Sequence, residues 1–209
     1  KISVTMMSRE VPVSQISKQE AVKLFGEGKI PPQEKGCYYF KDTEGGIYTY
    51  TAENKLKSYF SGQGTFPEGK DIVISEENAL QEMKPVLEEV VPNLDEFELF
   101  EQEVGDTIGV LVFEREIAEG IVDQVSITFW TTGDIHAIVC NYSGFLSPDE
   151  ITKEQRAELD RQAEAYIPVV EQTVWYEDRE VEVEISGCML SRQNGYIKGE
   201  YSYLITYVV

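Results

Sequence analysis

Histidine is nearly absent: His136 is the single one in 209 residues. A His-based dyad or triad therefore has one candidate base, and no Gly-x-Ser-x-Gly elbow accompanies it. Cysteine is scarce as well. Cys37, Cys140 and Cys188 stand far apart with no CxxC pair, which argues against a structural zinc site. They are either small buried apolar residues or one disulfide with a thiol left over. No apolar run reaches the ~18 residues of a membrane span. The loop at Gly62-Gln-Gly64 lacks the pattern of a phosphate-binding loop. Bases are few, 18 Lys and Arg against 38 Asp and Glu, for a net charge of −20. Such a chain repels phosphates, so nucleic acid is disfavoured and is not expected as a partner. The sequence opens on Lys1, and a signal segment is expected to have been removed ahead of it.

The charge is unevenly placed. Residues 1–74 hold 9 acids and 10 bases, residues 75–119 hold 14 acids and 2 bases, and residues 120–209 hold 15 acids and 6 bases. The change coincides with Pro67, Gly69 and the start of a helical pattern, which suggests two parts: 1–70, a helix with a small antiparallel meander, and 71–209, an α+β unit ending in hairpin strands. The acidic stretch reads as a solvated surface or an acidic binding face.

The longest β signal runs from Ile108 to Tyr142. Gly109 to Glu116 contains Val110, Leu111, Val112 and Phe113 in succession, as in a strand covered on both faces. Val122 to Thr131 alternates Val125, Ile127 and Phe129 with Ser126 and Thr128, and Ile135 to Tyr142 follows. A two-residue turn at Gly133-Asp134 would pair Phe129 with Ile138 and Ile127 with Cys140. It would gather Val125, Ile127, Phe129, Ile138 and Cys140 on a core face. Ser126, Thr128 and Trp130 would share the other face with Ala137 and Val139. Trp130 then either packs on Ala137 or under a helix, or stands exposed as a contact platform.

Elsewhere, Ser17-Lys-Gln-Glu20 is a capping box opening a short helix to about Gly26, before Pro31-Pro32 forces an extended loop. Strands follow at Cys37 to Lys41, Ile47 to Thr51 and Lys55 to Phe60, dense in tyrosine. These tyrosines suit cross-strand pairs or a sugar- or peptide-binding surface. Ser75 caps a second helix through Leu87 and Val91, with Pro85 expected to kink or split it. A strand from Phe97 to Val104 carries acids on one face. The third helix starts at Ser147-Pro148 or at Thr152-Lys-Glu-Gln155 and ends at Pro168. Strands at Thr173 to Tyr176, Glu180 to Ile185, Cys188 to Arg192 and Tyr201 to Val209 complete the chain, the last two around Gln193-Asn194-Gly195. The expected fold class is α+β, with three helices packed on antiparallel β meanders in a degenerate helix-then-meander repeat.

Ile151-Thr-Lys-Glu-Gln155 opening a helix, and Phe113-x-Arg115 running through a Gly-containing turn into Val125-Ser-Ile-Thr-Phe129 and the Gly133-Asp134 turn, resemble PepSY-type domains and the related propeptide domains of secreted thermolysin-like proteases. The resemblance covers roughly residues 75–166. It departs from the family's pattern at Ala118-Glu119 and Trp130. It implies an exported protein, often anchored at a Gram-positive cell surface, in an inhibitory or binding role, and it carries over no catalytic residue.

Paired carboxylates such as Glu76-Glu77 and Glu88-Glu89 are expected by chance among 38 acids. Asp42-x-Glu44-Gly45 is a fragment of a calcium loop without its later ligands. The reading that results is an exported, non-enzymatic binding or inhibitory module of a bacterial cell surface, with a lipoprotein as one form. No metal or cofactor is expected. The partner is a protein, peptide or cell-wall component meeting the face of Trp130, Thr128 and Ser126. The alternatives are a carbohydrate-active hydrolase using two acidic residues, or a purely structural surface protein.

Overall fold

The computed structural model describes residues 2–25, 37–52, 54–118, 121–141, 152–173, 181–193 and 196–207. It divides into two compact units, residues 1–114 with 124–140, and residues 115–123 with 141–209. Among the described residues the architecture is α+β, with three α-helices and a predominantly antiparallel sheet.

The first unit is built on strands β1 (Ile2–Met6), β2 (Arg9–Ile16), β3 (Tyr38–Asp42), β4 (Ile47–Tyr50), β5 (Leu56–Phe60), β6 (Glu98–Val104), β7 (Ile108–Ala118), β8 (Ile121–Trp130) and β9 (Ile135–Asn141), with residues 115–123 of β7 and β8 and residue 141 of β9 belonging to the second. They are hydrogen-bonded in the order β1-β2-β3-β4-β5-β9-β8-β7-β6. Ser58 of β5 pairs with Val139 of β9, so residues before and after position 70 share one sheet. The division expected at 70–75 therefore does not separate the described residues. The composition shift there marks a surface strap rather than a linker.

Helix α1 (Lys18–Phe25) starts where the capping box predicts, with the Glu20 amide donating to Ser17 Oγ at 3.1 Å. Ala21 packs with Tyr39 and Ile47, flanked by Ile16, Val22 and Cys37, which seats the helix on the sheet. Helix α2 (Ala79–Val90) begins later than Ser75. Residues 75–78 form a turn in which Asn78 Oδ1 accepts from the Ser75 amide. Pro85 neither ends nor splits it. The helix is held instead by Ala79, Met83, Val86 and Leu87, all buried on one face. A hairpin at Met7-Ser8, both with positive φ, joins β1 to β2. Its turn is fixed by Ser8, whose amide and hydroxyl both donate to the Glu89 carboxylate of α2.

The second unit contains α3 (Lys153–Thr173) packed on a long antiparallel hairpin of β10 (Val181–Gln193) and β11 (Tyr196–Tyr207). Of the two candidate starts for α3, the described one is the Thr152 box. The Gln155 amide donates to Thr152 Oγ1 and the Thr152 amide to Gln155 Oε1. Ser147 and Pro148 lie outside the described residues, as do Pro31 and Pro32. The helix runs past Pro168 to Thr173, so a strand does not begin at Thr173. The strands expected at Glu180 and Cys188 are one, bent by a register shift between Ile185 and Gly187. One short pairing departs from the antiparallel expectation: β10 meets the start of β8 in parallel, Cys188 opposite Ile121 and Met189 opposite Val122.

Candidate binding face

The site expected around Trp130 begins with the geometry of a turn. The Trp130 carbonyl accepts from the Gly133 amide, and the Trp130 amide donates to the Asp134 carbonyl. The loop therefore has three residues, Thr131-Thr132-Gly133, with Gly133 at φ +89 closing it. It is not the two-residue Gly133-Asp134 turn, and it sets Trp130 opposite Asp134 instead of pairing Phe129 with Ile138. A glycine in the left-handed region suits either loop, and the longer one is fixed by packing from elsewhere in the chain.

That packing centres on Thr131, which is buried. Its amide donates to the Thr107 carbonyl and its hydroxyl to the Asp106 carbonyl, while its own carbonyl accepts from the amides of Val73 and Ile74. Three loops, the 61–75 strap, the 105–108 turn and the 131–134 turn, are thus tied at one residue. Lys70 adds an ion pair to Asp134 at 2.7 Å, and the Thr132 hydroxyl donates to the same carboxylate. Burial alone would raise the Asp134 pKa, but the hydrogen bonds from Lys70 and Thr132 and the charge of Lys70 bring it below its usual value. A lowered carboxylate stabilises the fold above its unfolded pKa of about 4 and loses that contribution as the pH falls through the folded value. The pair is partly exposed, so Lys70→Met should cost under about 1 kcal/mol. Its expected signature is faster hydrogen exchange at the Val73 and Ile74 amides at pH 7. That difference from the parent protein should fade as the pH falls through the lowered Asp134 pKa and the carboxylate is protonated.

The strap also decides the fate of the indole. Trp130 is 8% exposed, covered edge-on by Phe66 with ring centroids 6.1 Å apart and stacked at a tilt on His136 at 4.8 Å. The packing alternative describes this residue, although the covering group is an aromatic strap side chain rather than a helix. Trp130 Nε1 and His136 Nδ1 are both buried without a hydrogen-bond partner among the described residues.

Ser126 and Thr128 behave differently: both are half-buried. Their face follows from two contacts. A Cβ on Gly109 would lie 2.6 Å from the Phe129 ring, so Gly109 and Phe129 share the inner face. Gln124 Nε2 donates to Glu114 Oε1 on the opposite side. The alternation of β7 then puts Leu111 and Phe113 inside, where both are buried. Ile108, Val110, Val112 and Glu114 turn outward with Gln124, Ser126 and Thr128. Val110 and Val112 are half-buried and Ile108 is exposed, so β7 is fully covered on one face and not on both as its unbroken apolar run implies. Across the β6–β7 register, Glu98, Glu101 and Glu103 sit opposite Glu114, Val112 and Val110, extending the outer face into an acidic margin. The result is a valine stripe, bordered by hydroxyls on one side and glutamates on the other.

The remaining motifs have structural partners. Asp42 is buried, and its carboxylate accepts from the amides of Glu44 and Gly46 and from the Tyr48 hydroxyl, which commits it to a turn rather than to calcium. Burial, followed by neighbouring Tyr59 and Asp42, pushes the Tyr48 hydroxyl above the ordinary tyrosine range. The tyrosines form cross-strand pairs, Tyr38 opposite Tyr50 and Tyr48 opposite Tyr59. Cys37 and Cys140 are thiols, and Cys188 belongs to residues whose side chains are not described. No group of His, Cys, Asp and Glu among the described residues could hold a metal ion, and none of their helices is long and apolar enough to cross a membrane.

No family model matches the chain, and no curated protein matches it. Among solved structures it is similar to the Bacillus megaterium YpeB C-terminal domain, at 11% identity and a TM-score of 0.41, over 92% of this chain and 87% of that one. A likeness at that level carries no argument about what this chain does.

Proposed function

We propose that this protein is an exported, non-enzymatic binding module of a bacterial cell surface, taking a protein, peptide or cell-wall partner on the outer face of β6, β7 and β8. The observation that carries the reading is the valine stripe of β7: Val110 and Val112 lie half-covered beside Ser126 and Thr128, on a face whose opposite side is closed core. A sheet with one solvated face ordinarily puts polar residues there. Valines at two successive outward positions cost solubility unless something docks on them. Trp130 supports the face from its end, locked beneath Phe66. Export rests on the PepSY-type resemblance of residues 75–166.

The test uses the purified full chain with a photo-crosslinking residue at Thr128. On intact cells of the source bacterium it should capture one cell-surface component. Val112→Glu should abolish that capture while leaving circular dichroism unchanged, because the valine is already half-exposed. Loss of the apolar contact and the cost of desolvating the new carboxylate should weaken the contact by about tenfold or more. Turnover of a glycoside or peptide substrate, lost on Glu114→Gln, would overturn the non-enzymatic reading. A precursor retained in the cytosol on cell fractionation would overturn export.

A further inference from the structure

The acidic margin of the proposed face is also the end of a sheet. Strand β6 pairs with β7 alone among the described strands. The Gly105 amide donates to the Ile108 carbonyl, and the β6–β7 register is regular from Val104 back to Glu101. Alternation along an antiparallel pair then turns the main-chain groups of Gln102 and Val104 away from β7, toward the edge that no other described strand pairs with. The register shifts between Leu99 and Glu101, leaving Phe100 as the extra residue of a bulge, and its side chain is 66% exposed. Bulges at sheet edges re-aim a side chain. Here one presents an aromatic ring outward, at the end of a strand whose other exposed positions include Glu98, Glu101 and Glu103.

We infer that β6 is a strand-addition site, and that its occupant is an extended segment of a partner protein alternating Lys or Arg with apolar residues. This rests on the binding-face reading above and gives it a partner chemistry. Main-chain hydrogen bonds to Gln102 and Val104 hold the incoming strand, and Phe100 anchors one end. Its basic side chains meet the glutamates on the outer face, and its apolar side chains, which alternate to the other face, continue the row of Gln102 and Val104 by one strand. The charge selects the occupant. A second copy of this chain adding at the same edge would set glutamates against glutamates, which opposes pairing of like strands. Residues 75–119, which contain this strand, hold 14 acids and 2 bases, so a cationic segment is steered to the edge and a neutral or acidic one is not.

The probe is a fluorescein-labelled peptide of four Lys-Val repeats, titrated against the full chain by anisotropy. Binding is expected, with the Gln102 and Val104 amides gaining protection from hydrogen exchange. N-methylating alternate peptide nitrogens on the pairing side should weaken it by about tenfold or more, because the main-chain bonds are lost. Phe100→Ala should weaken it several-fold. Glu101→Lys with Glu103→Lys should abolish it and admit a Glu-Val repeat instead. No binding at about 1 mM peptide overturns the inference, and so does an N-methylated peptide that binds as well as its parent. If methylation has no effect while Val112→Glu still weakens binding, strand addition fails and the binding face stands. If Val112→Glu also has no effect, both fail.

Discussion

Asp123→Ala is expected to destabilise the protein by about 3–5 kcal/mol. Asp123 is fully buried at the start of β8 and forms an ion pair with Arg115 Nη2, near the end of β7. Removing the carboxylate takes the ion-pair partner from a largely covered guanidinium, and breaking a buried pair from one side is among the most costly changes a fold can undergo. The pair itself need not be a net source of stability, because each ion lost its water on folding. The double variant Arg115→Met with Asp123→Leu should therefore recover most of the loss, which chemical denaturation would read as a large coupling energy. Equal losses in the single and double variants would mean that the two side chains act independently.

Gly109→Val is expected to be nearly as damaging. A Cβ at this position would stand 2.6 Å from the Phe129 Cε2 and Cζ atoms and 3.2 Å from the Glu103 carbonyl oxygen. Phe129 is completely buried and Glu103 is backbone, so neither can yield without moving a strand. Overpacking of this kind costs about 1–3 kcal/mol for one added group and more for a branched one. In a chain of this size each kcal/mol lowers Tm by roughly 2–4 °C. Gly109→Ala should fall between the parent and the valine variant, and Phe129→Leu should partly rescue it by removing the ring edge. A Gly109→Ala variant as stable as the parent would show that the strands do not approach this closely.

These two sites show what the sequence could and could not convey. The β strands were legible, because Val125, Ile127 and Phe129 alternate with polar neighbours and are all buried. The boxes at Ser17 and Thr152 were legible because capping is local chemistry between residues three apart. Arg115 stood out only as part of a family-like pattern, and its partner Asp123 lies eight residues away across a hairpin, a distance that composition does not mark. The Met7-Ser8 turn was invisible for a related reason. Neither residue favours positive φ, and the turn is held by Glu89, 81 residues on from Ser8.

The candidate face was half legible. The outward alternation of Ser126 and Thr128 survives in the structure, while the exposure of Trp130 does not, because Phe66 lies 64 residues upstream in a strap with no periodic signal. The acidic margin was read as a feature of residues 75–119 as a whole. Its concentration on β6 became clear once the register set Glu101 and Glu103 beside Val112 and Val110.

The most direct measurement of the central claim is an NMR titration of the isotope-labelled full chain with the Lys-Val peptide, mapping amide shifts residue by residue. The account predicts changes at Gln102, Val104, Val110, Val112, Ser126 and Thr128, with α3 and the β10–β11 hairpin silent. Shifts concentrated on α3 or that hairpin, with β6 to β8 unchanged, would contradict it.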